Sequence, residues 1–349
     1  MGNKKLAPLT NKEAASFCSQ MAMILKSGIS SLEGVSIMLE DAKDADEKEL
    51  LTQIYDSLMQ TGMFYDSLEE TGVFPGYLLQ MVQIGEQTGR LDEVMNSLAE
   101  YYEKESNLAQ TIKNAITYPL IMIVMMILVI LVLVTKVMPV FNQVFQQLGS
   151  EMTGVSRAIL GMGEFMNRYA FVFIAIFVAI VAGAVYLVKS ARGQKFFRTL
   201  ANRFTATRAL SERIAAYRFS SGMALTLSSG LTPEECLNLT SGLIEQEGFQ
   251  GKLEKCRKEV ADGEDLCDSL LENGIFSGVY ARMAAIGSRT GFLDEVMRQI
   301  AGQYEDDIDT RIAGMIATIE PTLVIILSVI VGIILLSVML PLMGIMAGL

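Results

Sequence analysis

Few side chains in this sequence are of types that do chemistry. Histidine is absent from the 349 residues, so the commonest metal ligand and the commonest neutral-pH acid–base group are both missing. Cys18, Cys236, Cys256 and Cys267 show no C-x-x-C spacing, which points to packed thiols and away from a zinc site or a redox pair. No G-x-x-x-x-G-K-[ST] phosphate loop occurs, so any nucleotide that drives this system is expected on another chain. What remains is a set of carboxylates at structurally marked places. Glu86 lies between Gly85 and Gly89, in what reads as a turn between two helices. A carboxylate there accepts backbone N–H bonds at a helix start or meets a partner. Asp92-Glu93 and Asp294-Glu295 suit the first turn of a helix, where the dipole favours acids. Glu320 abuts Pro321 at the edge of an apolar run. An acid so placed is costly against lipid, so it is expected to face protein or headgroups, as an interfacial anchor first and as the partner of Lys136 or another chain's cation second. These residues assemble no nucleophile–base pair, and the expectation is no enzyme, no cofactor and no metal.

The elements that hold these residues are helices, some of bilayer length. Three apolar runs reach about 20 residues: Tyr118 to Met138, Tyr169 to Val188, and Pro321 to about Gly348. Basic residues set their direction. Lys189, Arg192, Lys195, Arg198, Arg203 and Arg208 follow the second run without an acid among them, whereas the connector 139–168 holds only Arg157 and Arg168. The positive-inside rule then places residues after 188, and the N-terminal region, in the cytoplasm. The polar start, Met1 to Thr10, shows no apolar signal-peptide core, so the first span is expected to act as the insertion signal. The net charge of −11 comes mostly from residues 1–118, with 9 basic and 18 acidic side chains, against 16 and 19 in residues 189–320. Such an acidic surface argues against nucleic acid as a partner.

An internal repeat tests this topology independently. The segment beginning at Phe74 matches that beginning at Phe276 in 15 of 30 positions, at an offset of 202. The same offset pairs Phe17 with Phe219, Gly28 with Gly230, Pro119 with Pro321 and Pro139 with Pro341, without a gap. A soluble domain followed by a span therefore occurs twice in the same sense, and one unrepeated helix, 169–188, must return the chain. The expected organisation is a cytoplasmic helical domain (1–117), a first span (118–138), an extracytoplasmic connector (139–168), a second span (169–188), a second cytoplasmic domain (189–320) and a third span (321–348). Each domain should be an antiparallel bundle of about six helices, giving an all-α membrane protein. Thr232-Pro233-Glu234-Glu235 reads as a capping box with Pro at the first helical position, and Ser30 to Glu33 is its equivalent. Leu91, Val94, Leu98, Tyr101, Leu108, Ile112 and Ile116 recur at helical spacing up to Pro119, which predicts one rod of about 45 residues running from bundle into bilayer.

Ile84-Gly85-Glu86-Gln87-Thr88-Gly89-Arg90-Leu91, Thr117-Tyr118-Pro119 opening the apolar run and Met138-Pro139-Val140-Phe141 closing it resemble the type II secretion F family. Ile286-Gly287, Thr290-Gly291, Leu293 and Glu320-Pro321 resemble its second domain. The resemblance runs from about Phe17 to Leu342. Ser288 departs from it where the first copy has Glu86, and Leu340-Pro341-Leu342-Met343 replaces the first copy's closing motif. The resemblance implies a non-catalytic platform in the cytoplasmic (inner) membrane of type IV pilus or type II secretion machinery. Its implied partners are a cytoplasmic hexameric assembly ATPase, pilin or pseudopilin subunits, and other inner-membrane assembly components. Gly85, Glu86, Gly89, Pro119, Pro139, Gly287, Gly291, Glu320 and Pro321 are the candidate partner-binding or structural residues.

Small residues spaced by four (Ala175, Ala179 and Gly183; Ser328 and Gly332; Gly344 and Gly348) permit close helix contact, and a homo-oligomer is expected. Two other readings remain open. A transporter or channel component is opposed by only three spans and by a second span without an ionisable residue. A membrane-tethered signalling scaffold would keep the same fold and change the partner.

Overall fold

A computed structural model of the chain describes residues 6–137, 139–140, 143 and 205–347. The expected second span, 169–188, with its small-residue stripe, most of the connector 139–168, and the basic stretch as far as residue 204 lie outside the described residues. Twelve α-helices and no strand occur among the described residues. The first repeat holds α1 (Asn11–Lys26), α2 (Ser31–Asp41), α3 (Ala45–Thr61), α4 (Phe64–Thr71), α5 (Gly76–Thr88) and α6 (Leu91–Val132). The second holds α7 (Thr205–Ser228), α8 (Pro233–Ser241), α9 (Glu247–Ala261), α10 (Leu266–Glu272), α11 (Val279–Thr290) and α12 (Leu293–Ala347). Six helices per repeat agree with the sequence expectation.

Local chemistry sets the boundaries. Thr10 with Glu13, and Thr232 with Glu235, form reciprocal capping boxes at the starts of α1 and α8, and Ser30 accepts from Glu33 N at the start of α2. Gly28 and Gly230 follow α1 and α7 at φ +81° and +82°, a left-handed conformation in which a side chain would be strained. Between these stops each helix turns one apolar stripe inward; in α1 it is Ala14, Phe17, Cys18, Met21 and Ala22. Consecutive helices α1 to α5 pack on one another, as do α8 to α11. Phe17 meets Phe74 at 5.0 Å between ring centroids, and the repeat-equivalent pair Phe219 and Phe276 meets at 6.0 Å. The duplication thus extends to the aromatic cores.

The chain divides into two compact units. One joins residues 1–111 with 209–309, and the other joins 112–208 with 310–349. In the first unit the two bundles share apolar contact: Leu225 of α7 belongs to the first repeat's core, and Leu231, Leu239 and Leu243 pack against it. The second unit carries the apolar parts of α6 and α12. Helix α6 continues through a five-residue π-helical segment, Leu133–Val137, so that 47 residues from Leu91 form one rod, roughly 70 Å at 1.5 Å per residue. Both α6 and α12 are long and apolar enough to cross a membrane. Their apolar residues, among them Ile121, Met125, Leu128, Ile325, Val329 and Leu336, are exposed, as suits a surface solvated by lipid. Both helices pass through a proline, Pro119 and Pro321, with alanine four residues earlier (Ala115, Ala317). A small residue there leaves room beside the carbonyl that proline cannot satisfy.

All four cysteines are buried and reduced. Burial pushes the Cys18 thiol up to about 12, and those of Cys236 and Cys256 up to about 11. The folded state therefore holds these protons more tightly than the unfolded chain. Their stabilisation is complete below the ordinary thiol value of 9.0 and is lost as pH rises above it. Native protein at pH 8 should leave all four thiols unmodified by iodoacetamide over hours, whereas protein in denaturant should take up four labels; peptide mass spectrometry reads both.

Candidate functional site

The residues singled out by the I-G-x-x-T-G motif build an elbow between α5 and α6, repeated between α11 and α12. Gly89 and Gly291 end their helices at φ +71° and +79°. Arg90 N donates to Gly85 O at 2.9 Å and Phe292 N to Gly287 O at 3.1 Å, the six-to-one bond of a Schellman stop. Thr88 and Thr290 return their hydroxyls to Ile84 O and Ile286 O at 2.8 and 2.9 Å. Gly85 and Gly287 serve packing. A Cβ on Gly85 would lie 3.0 Å from Val94 Cβ, and one on Gly287 would lie 2.9 Å from Val296 Cβ. The two helices of each elbow therefore touch backbone to side chain with no slack.

Glu86 is not in a turn. It occupies the last helical turn of α5, because the Schellman stop at Gly89 carries the helix past it. Its carboxylate accepts from Phe64 N at 2.6 Å and Tyr65 N at 2.9 Å, the exposed N–H groups that open α4. The residue preceding α4 is Met63, which has no oxygen to offer. In the second repeat the equivalent of Met63 is Asp265, which caps α10 itself through Cys267 N at 2.8 Å and Asp268 N at 3.2 Å. The equivalent of Glu86 is Ser288, which no longer needs a carboxylate. One capping charge has changed position between repeats. The signal for the exchange lies in comparing columns 63/265 and 86/288 of the repeat; Glu86 taken alone points to a helix start but not to which one.

A second set of residues, which sequence reasoning did not single out, joins the repeats. Glu105 on α6 is buried and is held by Arg218 of α7 in a forked pair, with Nη2–Oε2 at 2.8 Å and Nε to both oxygens at 3.1 Å. Burial by itself would lower the Arg218 pKa, but attraction and hydrogen bonding from Glu105 outweigh it and the guanidinium is raised. Asp307 on α12, the repeat-equivalent of Glu105, is paired with Arg213, one and a half turns earlier on the same α7. Lys104 reaches Glu305 at 3.1 Å, and buried Tyr77 donates its hydroxyl to Gly222 O at 3.3 Å.

In the second unit Tyr118 donates to Glu320 at 3.2 Å. These are repeat-equivalent positions, each immediately before its proline, so Glu320 is met by its own counterpart and not by Lys136. Pro119 and Pro321 sit inside their helices, and Pro139 lies just past the π-helical segment. No cluster of three or more metal-ligating side chains occurs among the described residues. The arrangement can join and orient helices, and its charges are spent on capping and cross-bracing.

Two substitutions test this assignment. Glu86→Ser should cost about 1–2 kcal/mol of stability, and adding Met63→Asp, which copies the second repeat's solution, should restore most of it. Arg218→Met should cost about 3–5 kcal/mol by leaving Glu105 buried without a partner, while the double change with Glu105→Leu should recover the greater part. Thermal unfolding of the detergent-solubilised protein measures both.

Comparison with known proteins places this architecture. The family described as type II secretion system (T2SS), protein F matches the chain twice, over residues 17–139 and 219–341, the same offset that relates the two repeats. The chain is similar to the type IV pilus assembly protein PilC of Thermus thermophilus, at 29% identity over 97% of this chain and 84% of that protein. It is similar to PilC of Myxococcus xanthus at 28% identity, over 95% and 79% of the two chains. The type II secretion system protein F of Pseudomonas aeruginosa is 26% identical over 78% of this chain and 67% of its own. With both repeats matched and each built as the same six-helix unit ending in an apolar helix, the chain is a membrane protein of the type II secretion system protein F family.

Proposed function

We propose that this chain is a non-catalytic inner-membrane platform that couples a cytoplasmic assembly ATPase to polymerisation of pilin or pseudopilin subunits. The observation that carries the reading is the continuity of α6 from a capped soluble bundle into an apolar span, repeated in α12. A helix built this way can transmit displacement, since helical backbone continues from the soluble helices past Pro119 into the apolar run, with one donor lost at the proline. The names of the relatives, type IV pilus assembly and type II secretion proteins, support a role in such machinery.

In this reading residues 1–117 and 189–320 are cytoplasmic, residues 118–138, 169–188 and 321–348 span the membrane, and the connector 139–168 is extracytoplasmic. The N-terminus is cytoplasmic and the C-terminus extracytoplasmic. Partners come from both sides: the ATPase against the soluble helices, and pilin-like subunits and other membrane components along the spans. Gly85, Gly89, Gly287 and Gly291 act by keeping the elbows stiff; Pro119, Pro139, Glu320 and Pro321 act where the helices enter and leave lipid. Chemistry is left to the ATPase.

Sealed inner-membrane vesicles decide the topology. Single cysteines introduced beside Phe74 and beside Phe276 should react with a membrane-impermeant maleimide from the same, cytoplasmic, side; reaction from opposite sides overturns the reading. The full-length chain in nanodiscs should retain the assembly ATPase and raise its turnover severalfold, while reconstituted vesicles should show solute flux at background.

A further inference from the structure

Within the chain the two repeats meet through unlike faces. Repeat one contributes α5 and the start of α6, where Tyr77 is 7% exposed. Repeat two contributes α7 and α8, where Leu225 is 6% exposed and Leu239 packs on the first core. A two-fold arrangement would also carry the reciprocal contact, α11 against α1 and α2. Among the described residues that reciprocal face is left open. Val279, the equivalent of Tyr77, is 55% exposed, and Ile286, the equivalent of half-buried Ile84, is 60% exposed. On the other side Met23, the equivalent of Leu225, is 63% exposed, and Ile37, the equivalent of Leu239, is 44% exposed. Each repeat therefore carries both halves of one interface, with one half covered and one open. Such a contact is head-to-tail by construction.

The two open halves differ from their covered equivalents in a complementary way. Along α11, Val279, Arg282, Ile286 and Arg289 recur at spacings of three and four and so share a stripe, with Phe292, 66% exposed, just beyond it. Repeat one has Gln80, Gln87 and Arg90 where this stripe has Arg282, Arg289 and Phe292. On the opposite half α2 ends in Glu40 and Asp41, where repeat two has Gly242 and Leu243. The open α11 face has gained two arginines and an aromatic ring for the loss of one arginine; the open α1–α2 face has gained two acids against one lysine, Lys26, where repeat two has Ser228.

We propose that a second copy of this chain covers these faces: the Val279–Phe292 face of one copy docks on the Met23–Ile37 face of the next, in the mode already used between the repeats. Copies so joined form a directional series, and repeats that enter one membrane in the same sense keep that series in the membrane plane. The Glu105–Arg218 pair is not reproduced, because its equivalents are Asp307, held by Arg213 of its own chain, and Ser16. The contact between copies is accordingly the weaker of the two. It follows from the repeats alone and holds whether or not the chain serves a secretion machine.

Crosslinking of the full-length protein in detergent tests the pairing. Tyr77 meets Gly222 within the chain, so the equivalents Val279 and Gln20 should meet between chains. A mixture of Gln20→Cys and Val279→Cys proteins, treated with a short bis-methanethiosulfonate reagent, should give the mixed dimer. Neither protein alone should crosslink, and the double variant should give a ladder. Crosslinking of either single variant with itself, or no crosslink in the mixture, overturns the proposal. Arg282→Glu with Arg289→Glu in the Val279→Cys chain should lower the mixed-dimer yield about tenfold. Glu40→Arg with Asp41→Arg in the Gln20→Cys chain should restore it, and failure of that charge exchange to restore it also overturns the proposal.

Discussion

Backbone N–H and C=O groups that leave water for lipid must find their partners inside the chain, and everything else in this protein is arranged around that constraint. It forces each repeat to finish in a helix that begins bonding at the elbow and does not stop before the far end of the apolar run. The prolines are the exceptions that display the rule. Pro119 and Pro321 each remove one donor, and in both repeats the residue whose carbonyl loses its partner is an alanine, with threonine hydroxyls bonding carbonyls nearby. Near the end of the first apolar run the helix passes into a five-residue π-helical segment, Leu133–Val137, shortly before Pro139.

Duplication supplies a second lesson about what a fold demands. The demand is for a carboxylate at the start of the fourth helix of each repeat, and not for any particular residue. Repeat one meets it from twenty-two residues downstream with Glu86, and repeat two meets it locally with Asp265. The same holds for the paired acids Glu105 and Asp307, which keep their positions but are held by two different arginines of one helix, Arg218 and Arg213. Helix α7 can do this because it borders both long helices.

Much of this was legible in the sequence. The offset of 202 fixed the six-and-six helix count, the stops at Gly28, Gly89, Gly230 and Gly291 and the caps at Ser30 and Thr232, because capping and left-handed glycine are local effects readable within five residues. The long rod through Pro119 was legible from the apolar spacing on either side of it. What could not be read locally was anything decided by tertiary neighbours. The glycines flanking Glu86 suggest a turn at that residue; the Schellman stop puts the turn three residues later, at Gly89. The Glu105–Arg218 pair spans 113 positions, and an acid within a helix otherwise lined with exposed Glu and Lys carries no mark of burial. Likewise the exposure of Met23 and Val279 could not be inferred from sequence, since their equivalents Leu225 and Tyr77 are buried.

The tight elbow at Gly85 has a mechanical consequence. Helix α5 is wedged against Val94 at the root of α6, so α5 cannot rotate without carrying the root of α6 with it. A side chain at that position would have to push Val94 and the backbone at Leu91 aside, so the glycine fixes how closely α5 lies on the start of α6.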